Sequence, residues 1–151
     1  MEATEKRRLT LGKEEKLRHK SLVDGLFRDG TSLYEYPLRL TYRVLGRDEL
    51  EASFRDRVPD RIGPLQMLIT VPKKKLRHAV DRVRMRRLIR EAYRLNRLPL
   101  RDRAMESGAR TVQMAFIYLH PEKMDFETIT KKMRRLLAKV ERAVAHEPAD
   151  S

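Results

Sequence analysis

The stretch VPKKKLRHAVDRVRMRRLIREAYRLNR, residues 71–97, decides the organisation of this chain. It contains eleven Lys or Arg and two acids, so it carries nine of the thirteen net positive charges in a chain of 151 residues. From Asp81 onward the apolar residues recur with the period of an α-helix, which predicts a helix that ends at about Arg97. One face of this helix would pack on a core, and the opposite face would present guanidinium groups.

The arginine spacing on this predicted helix suits an RNA backbone. Four arginines fall on one side of the helical projection: Arg82, Arg86, Arg90 and Arg97. Residues four apart rise about 6 Å along a helix, close to the phosphate spacing of one RNA strand, and a planar guanidinium group can hold two phosphate oxygens. We therefore predict that ten cations of the stretch contact RNA: Lys73, Lys74, Lys75, Arg77, Arg82, Arg84, Arg86, Arg87, Arg90 and Arg94.

A solvated charged face is the simpler alternative, because many surface helices carry one. Such faces usually mix the two signs of charge, so that residues four apart form ion pairs. Here Glu91 is the one acid of the predicted helix after Asp81, so most of the arginines have no local partner. Holding like charges together costs free energy that an anionic partner would relieve, which favours nucleic-acid binding.

The composition limits the class of protein. A chain of this length with 40% hydrophobic residues and a pI near 10.4 is typical of one basic, soluble domain. The absence of cysteine excludes disulfides, thiol catalysis and cysteine-based zinc sites. The first residues include no apolar signal region, and the longest apolar run has six residues (114–119), too short for a membrane span. We expect a cytoplasmic protein with no membrane partner.

The segments before the basic stretch predict one helix and three strands. Residues 1–11 are polar and predicted to be flexible, and a helix capped by Gly12 would run to about Phe27 and end at Gly30. Residues 31–34 could form a short strand, residues 37–44 alternate as in a half-buried strand, and residues 65–71 form a strand that leads into the lysines. Residues 46–64 are charged and contain Pro and Gly, which predicts a long loop or an insertion.

The segments after the basic stretch complete the predicted fold. Residues 98–110 would be a connection, and residues 111–119 are apolar on both faces, as in a central strand. A last helix would start at Asp125 and end near residue 144, with a basic outer face that we interpret mainly as solvated surface. Residues 145–151 are predicted to be flexible. The order α-β-β-β-α-β-α within residues 12–144 predicts a single-domain α+β sandwich, a four-stranded sheet with helices packed on it.

The chain offers little that could catalyse a reaction by itself. Its acids are scattered, its four histidines lack the spacing of metal ligands, and it has no Gly-rich phosphate loop. We therefore predict no catalytic residue and no metal held by the protein. Phe27 and Tyr42 could stack on bases of single-stranded RNA, although packing in the core is the alternative for both.

The basic stretch resembles the protein subunits of bacterial ribonuclease P. That family carries a strand, a lysine-rich turn and a pattern of the form A-V-x-R-N-R-x-K-R-x-x-R-E, which here reads AVDRVRMRRLIRE in residues 79–91. Arg86 replaces the family Lys, and Val83 departs from the family Asn. Weaker matches are LFRDG in residues 26–30 and PLRL in residues 37–40, and the resemblance covers roughly residues 10–142.

The resemblance implies both a fold and an activity. The fold would be like the second domain of small-subunit ribosomal protein five, with an uncommon left-handed crossover between the last two strands. Catalysis would belong to a large RNA that uses Mg²⁺, held mainly by the RNA and the substrate. The protein would bind this RNA through the arginine helix and guide the 5′ leader of precursor tRNA along a cleft that includes Phe27 and Tyr42.

Two functions are compatible with these patterns. The first is a subunit of a ribonucleoprotein endonuclease that removes the 5′ leader in tRNA maturation, with the catalytic RNA and precursor tRNA as partners. The second is a non-enzymatic ribosomal or assembly protein that binds structured RNA. Binding of DNA in the major groove is disfavoured, because the predicted helix has a core face and the chain has no dimerisation heptad.

Overall fold

The computed structural model describes residues 9–52, 62–107 and 111–146. Within these residues the strands are β1 (Thr31–Glu35), β2 (Leu38–Leu45), β3 (Leu65–Thr70) and β4 (Thr111–Tyr118). The α-helices are α1 (Lys20–Asp29), α2 (Arg47–Ala52), α3 (Ala79–Asn96), α4 (Leu98–Glu106) and α5 (Phe126–His146), and a 3₁₀ turn precedes them at Lys13–Glu15. The predicted order α-β-β-β-α-β-α is confirmed, with two short helices added to it.

The four strands form one mixed sheet in the order β1-β2-β4-β3. The β1/β2 and β2/β4 pairs are antiparallel, with Leu40 of β2 opposite both Leu33 and Phe116. The β3/β4 pair is parallel, so the chain must cross from one end of the sheet to the other between these strands. Helices α3 and α4 make that crossover, which places the basic helix against the sheet.

Alternation along the strands divides the core between the two faces of the sheet. Helices α3, α4 and α5 pack on one face, whose buried strand residues include Leu38, Leu40, Met67, Met114 and Phe116. Helix α1 packs on the other face through Leu22 and Leu26, next to Ala115 of β4. Strand β4 is therefore buried on both faces, as its unbroken apolar run predicts.

The N-terminal region differs from the single helix that the sequence predicts. Gly12 begins a 3₁₀ turn rather than an α-helix, and the chain after Glu15 is extended up to the start of α1 at Lys20. The reason is a tertiary contact, because the amide of Leu17 donates to the carbonyl of Met67 at 3.0 Å and this segment lies along the edge of β3. The predicted end of α1 at Gly30 is confirmed, since its amide donates to the carbonyl of Leu26 at 2.8 Å.

Two segments that the sequence predicts as irregular contain helices. Part of the predicted loop 46–64 is helix α2, whose Leu50 is buried beside α1, and residues 53–61 lie outside the described residues. Most of the predicted connection 98–110 is helix α4, in which Leu100 and Ala104 are buried one turn apart. Pro99 is compatible with this helix because a first-turn amide has no helical partner.

Both predicted flexible ends are partly ordered against the domain. Residues 9–11 belong to the predicted flexible terminus, but Leu11 packs against the core and two backbone carbonyls of this segment accept hydrogen bonds. Helix α5 begins after Asp125, which accepts a hydrogen bond from the Thr128 amide at 3.2 Å as predicted for its cap, and the helix extends to His146. Residues 1–8 and 147–151 lie outside the described part of the chain.

A buried ion pair between Arg97 and Glu15 holds the N-terminal segment in place. Only 1% of the Arg97 side chain and 7% of the Glu15 side chain are exposed, and Arg97 Nε lies 2.6 Å from Glu15 Oε1. Arg97 donates a second hydrogen bond to Glu15 and three more to the backbone carbonyls of Leu9, Thr10 and Arg94. A buried charge that is paired and hydrogen-bonded in this way is tolerated, whereas one that loses its partner is strongly destabilising.

Replacement of Glu15 should therefore lower the stability of the folded protein. We expect Glu15→Ala to lower the free energy of unfolding by about 3–5 kcal/mol, because Arg97 would stay buried without its carboxylate. Urea denaturation would measure this loss. The matched control is the exposed ion pair between Arg47 and Glu51, 3.0 Å apart, where Glu51→Ala should cost less than about 1 kcal/mol. Equal losses in the two variants would contradict a special role for the buried pair.

Candidate nucleic-acid interface

The exposed face of α3 is a row of arginines. Helix α3 buries Met85, Ile89, Ala92 and Tyr93 against the sheet and α5, and this packing sets which side of the helix faces solvent. Three arginines are exposed on the outer side and form no ion pair with any described residue: Arg84, Arg87 and Arg90. On the helical projection they span about 120°, with Arg87 in the middle.

This exposed face is rotated from the one that the sequence predicts. The prediction grouped Arg82, Arg86, Arg90 and Arg97, but Arg97 is buried and Arg86 is half-buried. The guanidinium group of Arg82 donates to the carbonyls of residues 76 and 77 at 3.0 and 2.8 Å, so it closes the turn before the helix. The prediction of Arg97 as a surface cation is wrong, because a helical projection carries no information about the carboxylate of Glu15.

The two acids of the basic stretch each hold one cation. Glu91 accepts hydrogen bonds from Arg94 at 2.6 and 3.0 Å, and this contact keeps the pKa of Glu91 below its ordinary value. Asp81 lies 3.5 Å from Lys123, in the segment that leads to α5. Arg94 is therefore partly neutralised within the helix, whereas the charges of Arg84, Arg87 and Arg90 face solvent.

The predicted lysines form the turn between β3 and α3. The amides of residues 75 and 76 both donate to the carbonyl of Pro72, and the buried side chain of Leu76 anchors the turn. The ten predicted RNA contacts thus divide by exposure. Six are exposed, namely Lys73, Lys74, Arg77, Arg84, Arg87 and Arg90; four are half-buried, namely Lys75, Arg82, Arg86 and Arg94. Together they make one continuous cationic edge along the turn and α3.

A second polar surface lies on the other face of the sheet, where α1 leaves part of the strands uncovered. A row of neighbouring residues runs across β1, β2, β4 and β3 there: Tyr34, Arg39, Ile117 and Thr70. Tyr34 is 59% exposed, and the guanidinium carbon of Arg39 lies 5.8 Å from the centre of its ring. The buried Nε of Arg39 has no hydrogen-bond partner among the described residues. An aromatic ring beside a cation in an open groove is suited to single-stranded nucleic acid.

The two aromatic residues predicted for one cleft lie on different faces of the sheet. Phe27 is 48% exposed on α1, the helix that packs on the open face. Tyr42 is half-buried and packs against the core on the α3 and α5 side, on the same face of β2 as Leu40. Its grouping with Phe27 is wrong, because strand alternation places the neighbouring Thr41, not Tyr42, towards α1. Sequence reasoning also missed Arg39 as a cleft residue, since its pairing with Tyr34 depends on the register of the hairpin.

The outer face of α5 is also basic. Its exposed cations are Lys131, Arg134, Arg135 and Arg142, and Arg134 Nε donates to Asn96 of α3 at 2.9 Å. This hydrogen bond ties α5 to the end of the basic helix.

The arrangement of acids gives no support for a metal centre held by the protein. In residues 9–52, 62–107 and 111–146, no three His, Asp or Glu side chains come together in a way that could hold a metal ion. None of the helices in these ranges combines the length and the apolar composition that a bilayer crossing requires. Exposed cations beside exposed aromatic rings are side chains suited to phosphates and bases.

Comparison with known proteins gives the family. The family model described as "Ribonuclease P" matches residues 11–141. The ribonuclease P protein component of Porphyromonas gingivalis W83 is 35% identical over 86% of this chain and 85% of its own. That of Chlorobaculum tepidum is 40% identical over 76% of this chain and 71% of its own. This chain belongs to the ribonuclease P protein family.

Solved structures agree in fold. The ribonuclease P protein of Staphylococcus aureus at 2.0 Å matches 83% of this chain and 94% of its own, with a TM-score of 0.56 and 17% identity. The predicted membership of the ribonuclease P protein family is confirmed by the family model and the curated relatives. The chain is the protein subunit of an endoribonuclease that acts in tRNA 5′-end maturation, and the ribonuclease P RNA is its partner. A purely ribosomal or assembly role is not favoured.

Removal of one exposed arginine should reduce the salt dependence of RNA binding. We plot the logarithm of the association constant K for RNA against log[salt]. We expect Arg87→Ala to reduce the magnitude of the slope by about 1, because one phosphate contact and its released counterions are lost. The thermal midpoint of unfolding should stay the same, since Arg87 makes no ion pair with the described residues. Filter binding of the ribonuclease P RNA at several salt concentrations would measure the slope. Arg47→Ala, on the opposite side of the sheet, should leave the slope unchanged; a slope for Arg87→Ala equal to that of the unaltered chain would contradict this assignment.

Proposed function

We propose that this chain binds the catalytic RNA of ribonuclease P through the lysine turn and the outer face of α3. The observation that carries the proposal is the row Arg84, Arg87 and Arg90, which no described carboxylate neutralises. Neighbouring members of this row are three residues apart, a rise of about 4.5 Å along the helix, and the long arginine side chains can reach successive phosphates from there. The cations of the turn before α3 extend this surface towards the end of β3.

The same proposal assigns the 5′ leader of precursor tRNA to the open face of the sheet. Tyr34 and Phe27 present exposed rings for base stacking, and Arg39 supplies a cation whose Nε is buried and has no described partner. Base stacking on aromatic side chains beside cations holds single strands with little dependence on sequence. That property suits a leader, whose sequence differs from one precursor to the next. Tyr42 takes no part in this cleft.

Catalysis is assigned to the RNA. The described residues offer no cluster for a metal ion, so Mg²⁺ would be held mainly by the RNA subunit and the substrate. The protein would lower the free energy of bringing two polyanions together, because its cations replace part of the metal-ion atmosphere. The cytoplasm is the compartment proposed for this reaction, and neither DNA nor a membrane is proposed as a partner.

Reconstitution tests this division of roles. The purified chain alone should leave precursor tRNA uncut, and addition of the ribonuclease P RNA of the same organism should release the leader at a Mg²⁺ concentration lower than the RNA alone requires. The matched control is the variant Arg84→Glu/Arg87→Glu/Arg90→Glu, which should give no such shift while remaining folded. Gel analysis of the cleavage products over a Mg²⁺ titration would measure the effect. Identical Mg²⁺ curves with and without the chain would contradict the proposed function.

Substitution of Phe27 separately tests the proposed binding of the leader to the open face of the sheet. We expect Phe27→Leu to weaken the binding of precursor tRNA by about tenfold, in line with stacking worth about 1–3 kcal/mol per base, and to leave the binding of mature tRNA unchanged. Equilibrium binding of both tRNAs to the reconstituted enzyme would give the ratio. Phe126→Leu is the matched control, since Phe126 is 39% exposed on α5, which packs on the opposite face of the sheet. If Phe27→Leu leaves the ratio of precursor-tRNA to mature-tRNA affinity unchanged, Phe27 takes no part in binding the leader.

A further inference from the structure

Two valines are exposed in the first turns of α3, just before the row Arg84, Arg87 and Arg90. Val80 is 78% exposed and Val83 is 37% exposed, one helical turn apart. With Ala79, Arg84 and Arg87 they line a shallow depression. On the helical projection Val80 and Val83 lie about 20° and 40° from Arg87, so they share its outward direction.

The folded chain itself gives no reason for valine at these two positions. Neither side chain belongs to the buried core, and β-branched residues are weaker helix formers than the straight-chain residues that usually occupy exposed positions. The pair is therefore an exposed apolar patch on the cationic side of α3 and not part of the core.

An RNA that lies against α3 must also cover these valines. Phosphate oxygens gain nothing from contact with a methyl group, whereas the flat face of a nucleobase is apolar and loses unfavourable contact with water there. In an RNA duplex the base faces are stacked and hidden, and the surface that remains consists of phosphates, 2′-hydroxyl groups and base edges. A base becomes available for such a contact where the RNA has a bulge, a loop or a single-stranded junction.

We propose that Val80 and Val83 form an apolar seat for one unstacked nucleotide of the partner RNA, with the adjacent Arg84 and Arg87 binding neighbouring phosphates. This inference rests on the proposed function, since it requires α3 to face the RNA. It adds an element of specificity that charge alone does not provide: an RNA with an unpaired base at this point binds more tightly than a continuous duplex of equal charge.

An isosteric substitution tests the seat. Val80→Thr/Val83→Thr keeps the shape and the branching of both side chains and replaces one methyl group of each by a hydroxyl group. We expect the affinity for the ribonuclease P RNA to fall by about tenfold at every salt concentration, with an unchanged slope of log K against log[salt], because loss of apolar burial releases no counterions. Arg87→Ala should show the opposite behaviour, a shallower slope. Met105→Gln is the matched control, because Met105 is 57% exposed on α4, outside this face; its affinity should be normal.

The possible results separate this inference from the proposed function. Normal RNA affinity for the valine variant, together with a changed slope for Arg87→Ala, would overturn the seat and leave the proposed function standing. Weak RNA binding by the unaltered chain with no dependence on Arg87 would overturn both. Loss of self-association in the valine variant with normal RNA affinity would also overturn the seat, since the valines would then contact a second copy of the chain.

A crosslink supplies a readout that does not depend on affinity. A photoreactive benzophenone amino acid in place of Val83 should crosslink the ribonuclease P RNA at one unpaired nucleotide, which primer extension would locate. Crosslinks confined to base-paired nucleotides would overturn the proposal. The same modification in place of Met105 should give no crosslink at that nucleotide.

Discussion

The buried ion pair between Arg97 and Glu15 removes Arg97 from the cationic surface and holds the N-terminal segment in place. It joins residues 82 positions apart, at the end of the basic helix and in the N-terminal 3₁₀ turn. Because a buried guanidinium group must be paired, electrostatics as well as apolar burial fixes the path of residues 9–17 along the edge of β3. This segment lines a pocket together with Arg90, and Arg84, Arg87 and Arg90 remain exposed. Apolar packing sets the direction of the exposed arginines, and this ion pair fixes the segment that lies beside them.

The topology of the sheet gives that surface a rigid base. Since β3 and β4 are parallel, the chain between them must cross the sheet, and the crossover is the basic helix itself followed by α4. The apolar face of α3 is buried against the sheet and α5, so its arginines are presented by an element that cannot easily rotate. The second face of the sheet is only partly covered by α1. The exposed arginines of α3 and the exposed rings of Phe27 and Tyr34 therefore lie on opposite sides of one sheet.

The sequence predicted the elements whose own residues determine them. Helix α3 and strand β4 follow from periodicity and from an unbroken apolar run, and their ends agree with the structure to within a residue or two. Helices α2 and α4 were missed because they are short and depend on single buried side chains such as Leu50 and Leu100. Arg97 was misplaced because its partner lies far away in the chain, and Tyr42 because a shift of one residue in a strand reverses the face. In each case the missing information lies in tertiary contacts, which a sequence pattern does not show.

The acids around α3 divide the nearby cations into two groups. Glu15 holds Arg97, Glu91 holds Arg94 and Asp81 holds Lys123, so these charges serve the fold. Arg84, Arg87 and Arg90 face outward, and within the described residues they form no ion pair with an acid. Their mutual repulsion in a chain of net charge +13 disfavours the free folded state, and bound phosphates remove it. Binding of RNA must then stabilise the fold, because a ligand that binds only the folded state shifts the equilibrium towards it. A protein built in this way contributes countercharge and orientation to its complex, and the chemical step is left to the RNA that it binds.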